Sequence, residues 1–319
     1  MSKGFIFSTK SSKYFADLML EKLKGEFGSG SLERSETLDG MQYHRVVFNK
    51  SPILGNTIVF VASTADDKDF LELLRVGMAI SNFGAKKCIF VIPFFGYSTM
   101  ERAVKYGEIV TAKCNCRLLS SIPNNTTGNL FLMLDLHAPS ICHYFEGPCV
   151  REELHAKQVL LKGIISLNLD KELIMFGSAD LGRTRWVSSY AKYFNTTIAL
   201  IRKTRNMEET QIHEVIGDVK GKHVVIYDDM TRSGKSLVNA CNVYLKYGAI
   251  SVYAVLSHLA LNNEHAAETL INSKIKKIIS TNSHQMSQHQ IIQKSEKFQI
   301  LDVSSVFAEK IRTWKISLK

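Results

Sequence analysis

The chain has 319 residues, 45% hydrophobic and 22% charged, the balance of a soluble globular protein with material for one large or two medium cores. It contains no run of about 18 apolar residues, and MSKGFIFSTK at its start has neither a signal-type apolar stretch nor an Arg-rich targeting pattern, so a cytoplasmic protein without a membrane partner is expected. The formal net charge of +10 suits anionic partners, but the excess is not gathered into a basic stripe with interleaved aromatics, which favours small phosphorylated molecules over nucleic acid.

In chain order, short β-branched runs alternate with helical spacing. TIVFVA (57–62) reads as a buried strand, and DFLELLRVGMAISNF (69–83) as a helix with Phe70, Leu73, Leu74, Gly77, Met78 and Ile80 mostly on one face. CIFVIPFF (88–95), LFLMLDL (130–136), LIMFG (173–177), TIALIR (197–202), HVVIY (223–227) and SVYAVL (251–256) read as further strands, with helices over 183–194 and 236–247. Near-continuous apolar strands are what a parallel sheet covered on both faces requires, so the class is α/β. The best boundary is in FEGPCVREELHAK (145–157), giving expected domains 1–148 and 149–319. TRNMEETQIHEVIGDVKG (204–221) is polar and long for a connection in such a fold, which fits either a mobile active-site loop or a surface excursion. The six cysteines contain no CxxC pair, so reduced thiols are expected. The irregular spacing of Cys114, Cys116, Cys142, Cys149, His137 and His143 argues for scattered residues rather than zinc ligands.

The stretch YDDMTRSGKS (227–236) ends in Gly234-Lys235-Ser236, the last three letters of a P-loop. A P-loop needs glycine five residues before Gly234, where this chain has Asp229, and a carboxylate there would repel phosphate. The remaining constellation is different. An apolar strand delivers Asp228 and Asp229 at its C-terminal end, where open α/β sheets hold ligands. Thr231-Arg232-Ser233-Gly234-Lys235-Ser236 then opens a helix with Leu237, Ala240, Cys241, Tyr244 and Leu245 on its buried face and Gly248 just past its end. Backbone N–H groups, hydroxyls and basic side chains at a helix start can grip a phosphate, while paired carboxylates can accept hydrogen bonds from a vicinal diol. A sugar phosphate suits both halves of this arrangement.

The D-D-x-x-x-S/T-G-x-S/T pattern resembles the phosphoribosyl-diphosphate (PRPP) motif of the type I phosphoribosyltransferase fold. Along nearly its whole length the chain resembles the ribose-phosphate diphosphokinase (PRPP synthetase) family. The resemblance is carried by VIPFFGYSTMERAVKYGEIVTAK (91–113), LMLDLHAPSICHYFEG (132–147), GSADLGRTRWVSSYAKYF (177–194), IRKTRN (201–206) and GDVKGKHVVIYDDM (217–230). It implies two phosphoribosyltransferase-like domains, the first on the nucleotide side and the second on the ribose 5-phosphate side. It also implies Mg2+ as cofactor, ATP or another nucleoside triphosphate as donor, ribose 5-phosphate as acceptor, and a homo-oligomer of at least a dimer.

Motif by motif, the resemblance implies that Asp228 and Asp229 bind the ribose hydroxyls and Arg232, Ser233, Gly234, Lys235 and Ser236 the 5-phosphate. It puts Lys203 and Arg205 at the transferring diphosphoryl group, and His137 and Asp180 at magnesium sites beside the triphosphate. Read without the family, His137 is a hydrogen-bonded strand-end histidine. Asp39 matches an acidic residue in a loop that reaches a neighbouring subunit's nucleotide site. Thr99 and Met100 stand where common members have Arg-Gln. The Met100-Glu101-Arg102 stretch is closer to the family's second class, which makes Arg102 the better nucleotide contact. Lys235 replaces a usual glycine, and is either an extra phosphate ligand or a side chain turned to solvent. A non-catalytic associated subunit with the same fold is the alternative function.

Overall fold

The computed structural model describes residues 4–125, 128–205 and 211–316. The chain divides into two compact units. The first runs up to His155 and resumes at Val303; the second spans Ala156–Asp302.

The first unit contains β1 (Gly4–Ser8), α1 (Lys13–Lys22), β2 (Gly28–Ser29), β3 (Leu32–Glu36), β4 (Gln42–Val46), β5 (Thr57–Val61), α2 (Asp67–Asn82), β6 (Lys87–Ile92), α3 (Thr111–Ser120), β7 (Leu130–Leu134) and β8 (Val150–Leu154). Its main sheet has the order β2-β1-β5-β6-β7-β8, with every neighbouring pair parallel. The central strands Ile58–Val61, Cys88–Ile92 and Leu130–Leu134 are buried throughout, as two-sided coverage demands. α2 starts where the Asp66 side chain accepts the Asp69 N–H at 2.9 Å, and its first turn carries Asp67 and Asp69, which complement the helix dipole. Phe70, Leu73, Gly77 and Ile80 lie on its buried face as expected, with Leu74 and Met78 packed against the core's edge. Asp69 and Glu72 are buried on the same helix, which apolar spacing alone does not signal. β3 and β4 form a separate antiparallel hairpin.

The second unit contains α4 (Lys157–Ser166), β9 (Ile174–Gly177), α5 (Thr184–Phe194), β10 (Ile198–Arg205), β11 (Gln211–Ile216), β12 (His223–Met230), α6 (Lys235–Lys246), β13 (Ser251–His258), α7 (Glu264–Ile271), β14 (Ile278–Thr281), α8 (Gln290–Gln293) and β15 (Phe298–Leu301). Its sheet has the order β11-β10-β9-β12-β13-β14-β15, parallel except for the antiparallel β11. α6 buries Leu237, Ala240, Cys241 and Tyr244, and is followed by Gly248, whose φ of 93° turns the chain so that the Ala249 N–H reaches the Tyr244 carbonyl at 3.1 Å. The buried Tyr244 hydroxyl sits between the carbonyls of Ser178 (2.8 Å) and Ala199 (3.0 Å), tying α6 to the ends of β9 and β10.

Two expectations are corrected. The division falls between His155 and Ala156 rather than after residue 148, because β8 pairs with β7 and completes the first sheet. The C-terminal segment does not stay with the second unit: α9 (Ser304–Ile316) packs on α1, with the Phe15 and Phe307 rings 5.6 Å apart and Arg312 Nε 2.7 Å from Glu26 Oε1. Among the described residues no helix is long and apolar enough to cross a membrane.

Candidate active site

In the second unit, the apolar run Val224–Tyr227 holds β12 in the middle of the sheet, between β9 and β13. The strand continues past it, so Asp228 and Asp229 project from the C-terminal end of a rigid element. The Asp229 N–H donates to Asp228 Oδ1 at 3.0 Å. Burial, followed by the neighbouring Asp229 charge, pushes the Asp228 carboxyl well above the usual carboxylate range.

A basic residue that the sequence reading does not single out faces this pair. Arg183 places Nη2 2.8 Å from Asp229 Oδ1 and Nε 3.5 Å from Asp228 Oδ1. It comes from the turn after β9, the strand hydrogen-bonded beside β12. Gly182 N–H donates to Asp180 Oδ1 at 2.7 Å, Thr184 Oγ1 donates to the Leu181 carbonyl at 2.8 Å, and Ser178 Oγ donates to the Asp180 carbonyl. Asp180 is exposed at the mouth of this turn, and its charge is felt at Asp228. Sequence holds no signal for Arg183: it is one of 40 Lys and Arg residues, and only folding sets it against the two aspartates.

The 231–236 loop follows directly. Thr231 N–H donates to the His258 carbonyl at 3.3 Å, and Asn262 N–H to the Arg232 carbonyl at 3.0 Å, pinning the loop to the chain after β13. Gly234 N–H donates to Thr231 Oγ1 at 3.2 Å, while Arg232, Lys235 and Ser236 are exposed and Ser233 is half-buried. Beneath the loop His258 Nδ1 lies 2.7 Å from Ser283 Oγ, and burial, then His258 and Arg232, lowers His284 to about 3, so that imidazole is neutral. Gly234 has φ of 75°, and a Cβ added there would lie 2.9 Å from Leu270 Cγ. Gly234→Ala is therefore expected to cost about 1–2 kcal/mol of stability from the left-handed backbone alone, read as a lower urea midpoint.

Lys203 and Arg205 occupy β10, where their backbones pair with His213 and Gln211 of β11; their side chains lie outside the described residues. The 204–221 stretch is in part this β10–β11 hairpin rather than a free loop, and residues 206–210 lie outside the description.

In the first unit, Thr99, Met100 and Arg102 lie beyond β6 in an exposed loop, with Arg102 Nε 3.5 Å from Glu101 Oε1. The loop is entered through Gly96, whose N–H donates to Thr64 Oγ1 at 2.9 Å and whose Cβ position lies 1.8 Å from the Thr64 carbonyl oxygen, so only glycine fits. His137 is half-buried just past β7. Beside it is a polar cluster that sequence reading misses: buried Asp135 lies 3.0 Å from His155 Nδ1, and the Leu136 N–H donates to Glu153 Oε1 at 2.9 Å. The Asp135 hydrogen bond pushes the His155 imidazole up, and burial pushes Glu153 up. Asp39 is exposed at the β3–β4 turn, where Thr37 Oγ1 donates to it and lowers its pKa. Arg34, 2.7 Å from the buried Glu72, fastens the hairpin to α2.

The structure thus gathers Asp180, Asp228, Asp229 and residues 232–236 at one end of one sheet. Thr99, Met100, Arg102 and His137 follow strands β6 and β7 of the other, and Asp39 stands apart on the hairpin. Among the described residues no group of three or more His, Cys, Asp or Glu is arranged to hold a metal ion.

With this geometry in place, comparison with known proteins defines the class. A phosphoribosylpyrophosphate synthetase from Mycobacterium smegmatis matches with a TM-score of 0.86 at 22% identity, over 99% of this chain and 100% of that one. The fold is accordingly the two-domain, phosphoribosyltransferase-like α/β type. Residues 5–122 match the model of the N-terminal domain of ribose phosphate pyrophosphokinase, and residues 201–317 match that of the phosphoribosyl synthetase-associated domain. The ribose-phosphate pyrophosphokinase of Clostridium tetani is 29% identical over 96% of this chain and 95% of its own length. That of Clostridium acetobutylicum is 31% identical over 76% of this chain and 73% of its own. The chain belongs to the ribose-phosphate pyrophosphokinase family.

Proposed function

We infer that this chain is a working ribose-phosphate pyrophosphokinase, moving the β,γ-diphosphoryl group of ATP to the anomeric hydroxyl of ribose 5-phosphate to give PRPP and AMP. The observation that carries this reading is the Asp228–Asp229 pair, fixed at the end of β12 and running straight into the 231–236 loop. The carboxylates accept hydrogen bonds from the vicinal ribose hydroxyls. Arg232, Ser233, Gly234, Lys235 and Ser236 take the 5-phosphate, with Lys235 exposed and able to reach it. Two-point holding of the sugar fixes the anomeric hydroxyl for in-line attack on the β-phosphorus, and the leaving group is AMP. Lys203 and Arg205 stabilise the charge of the diphosphoryl group in transit. Asp39, Thr99, Met100, Arg102 and His137 form the nucleotide side, carried by the first unit, and the second unit is the ribose 5-phosphate side.

Magnesium fits the residues present. Asp180 offers a hard carboxylate at the mouth of its turn, and this ion takes few protein oxygens when substrate phosphates supply the rest. Asp180 in the second unit and His137 in the first, the latter directly or through water, would each contribute to a magnesium site, and the ion would supply neutralisation of the triphosphate charge. The enzyme is a cytoplasmic homo-oligomer of at least two chains, with neither nucleic acid nor membrane as partner.

The test is a coupled assay for AMP and PRPP with ribose 5-phosphate, Mg2+ and a panel of nucleoside triphosphates, with and without inorganic phosphate. Turnover well above a Lys203→Ala control is expected, and turnover equal to that control would overturn the reading. A non-catalytic associated subunit is the second reading, favoured by Thr99 and Met100 in the exposed nucleotide loop. It predicts sugar-phosphate or partner binding without AMP release.

A further inference from the structure

The two aspartates of β12 stand at adjacent positions, and the charged groups facing Asp228 are Asp229, Asp180 and Arg183. Three carboxyl groups of one sign destabilise one another, and Arg183 is the cation that offsets them. Its side chain is only 14% exposed, beside Asp228 at 20% and Asp229 at 6%. A guanidinium stays charged in such surroundings and offers a rigid planar fork, so it acts as a permanent positive charge of fixed shape. It approaches the Oδ1 atom of each carboxylate, and Asp228 Oδ1 also takes the Asp229 N–H. Arg183 is itself held in place, because it caps α5 and follows the turn closed by the Asp180, Leu181 and Ser178 hydrogen bonds.

We propose that Arg183 is a positioning residue for sugar recognition: by engaging Oδ1 of Asp228 and Asp229 it fixes both carboxylates as acceptors for the vicinal hydroxyls, and so sets the preference for ribose over deoxyribose phosphates. This rests on reading Asp228 and Asp229 as the diol acceptors. Free carboxylates at adjacent positions rotate apart, which spoils a two-point match to a cis-diol. Arg183 opposes that rotation by holding one oxygen of each carboxylate, and its effect belongs to recognition of the sugar rather than to transfer of the diphosphoryl group.

The experiment compares ribose 5-phosphate with 2-deoxyribose 5-phosphate, by calorimetric binding and steady-state kinetics, on the full-length chain and its Arg183→Met and Arg183→Lys variants. Arg183→Met is expected to weaken ribose 5-phosphate binding by roughly 10- to 100-fold, the scale of losing one hydrogen bond to a charged group. KM should rise more than kcat falls, and the ribose preference should shrink by a similar factor. Arg183→Lys, which keeps the charge without the fork, should restore part of both, and it stays informative if the methionine variant does not fold. An unchanged ribose-to-deoxyribose ratio in both variants overturns the proposal, as does a fall in kcat alone. Tighter ribose binding without Arg183 also overturns it, because the guanidinium would then be competing with the sugar. Failure of the unaltered chain to prefer ribose 5-phosphate over the deoxy sugar rejects the diol reading itself, an outcome distinct from those three.

Discussion

Asp228→Asn and Asp229→Asn are expected to weaken ribose 5-phosphate binding together while moving stability in opposite directions. In the proposed sugar site each substitution removes charge from an acceptor of the diol, and a hydrogen bond to a charged group is worth about 1.5–3 kcal/mol, so KM is expected to rise by roughly 10- to 100-fold. Stability separates them because their surroundings differ. Asp229 holds the direct 2.8 Å ion pair with a guanidinium that is mostly removed from water, and neutralising it leaves that charge under-compensated. The Asp229→Asn Tm should fall at every pH where the wild-type pair is ionised. Asp228 has its folded pKa raised, first by burial and then by Asp229. A carboxyl of raised folded pKa binds its proton more tightly in the native state than in the unfolded chain. Its contribution is therefore fully present in acid and is lost as pH climbs from the ordinary aspartate value through the raised one. Asparagine has no such titration. The Tm of Asp228→Asn should thus exceed that of wild type at pH 8, and the gap should narrow as the pH falls toward the ordinary carboxylate range. Thermal melts of both variants between pH 5 and 8 decide the matter, and a gap that widens in acid would contradict the raised Asp228 pKa.

Lys203→Ala is expected to lower kcat by about 10²- to 10³-fold, the usual effect of removing one group that stabilises charge in a transition state. KM for ribose 5-phosphate should change little, because the proposed sugar site is on β12 and the loop after it, and β10 is separated from β12 by β9. Single-turnover measurement of AMP release separates this outcome from a binding defect. A Lys203→Ala enzyme with normal kcat would move the diphosphoryl role elsewhere, with Arg205 the next residue to substitute.

Much of this architecture is legible in the sequence where burial is two-sided. The runs at 57–61, 88–92, 130–134 and 224–227 are apolar because helices cover both faces of their sheets, and they identify themselves. The α6 helix is equally plain, since its apolar spacing and its terminal Gly248 agree. Strands at the margins are not legible. β8 (VREEL) is the first sheet's last strand, with three charged residues in succession and only Leu154 buried, and β3 and β4 form a mostly exposed hairpin of polar residues. The site shows the same division. Asp228, Asp229 and the 231–236 loop form one contiguous motif, so they can be read in order. Arg183 and Asp229 are far apart in sequence and meet only because β9 and β12 are neighbours in the sheet, and the Asp135–His155 pair arises in the same way between the ends of β7 and β8.

The return of α9 to the first unit makes the second unit, in topological terms, an insertion within a discontinuous domain. A ribosome would release all of the first unit's sheet long before the helix that covers α1 exists. Phe15, fully buried in the finished fold beside Phe307, would lack that cover while the intervening 156–302 segment is made. That segment is continuous, so it can close its own core before its host is complete. Order of synthesis and order of completion are therefore inverted: the part of the chain that begins first is finished last.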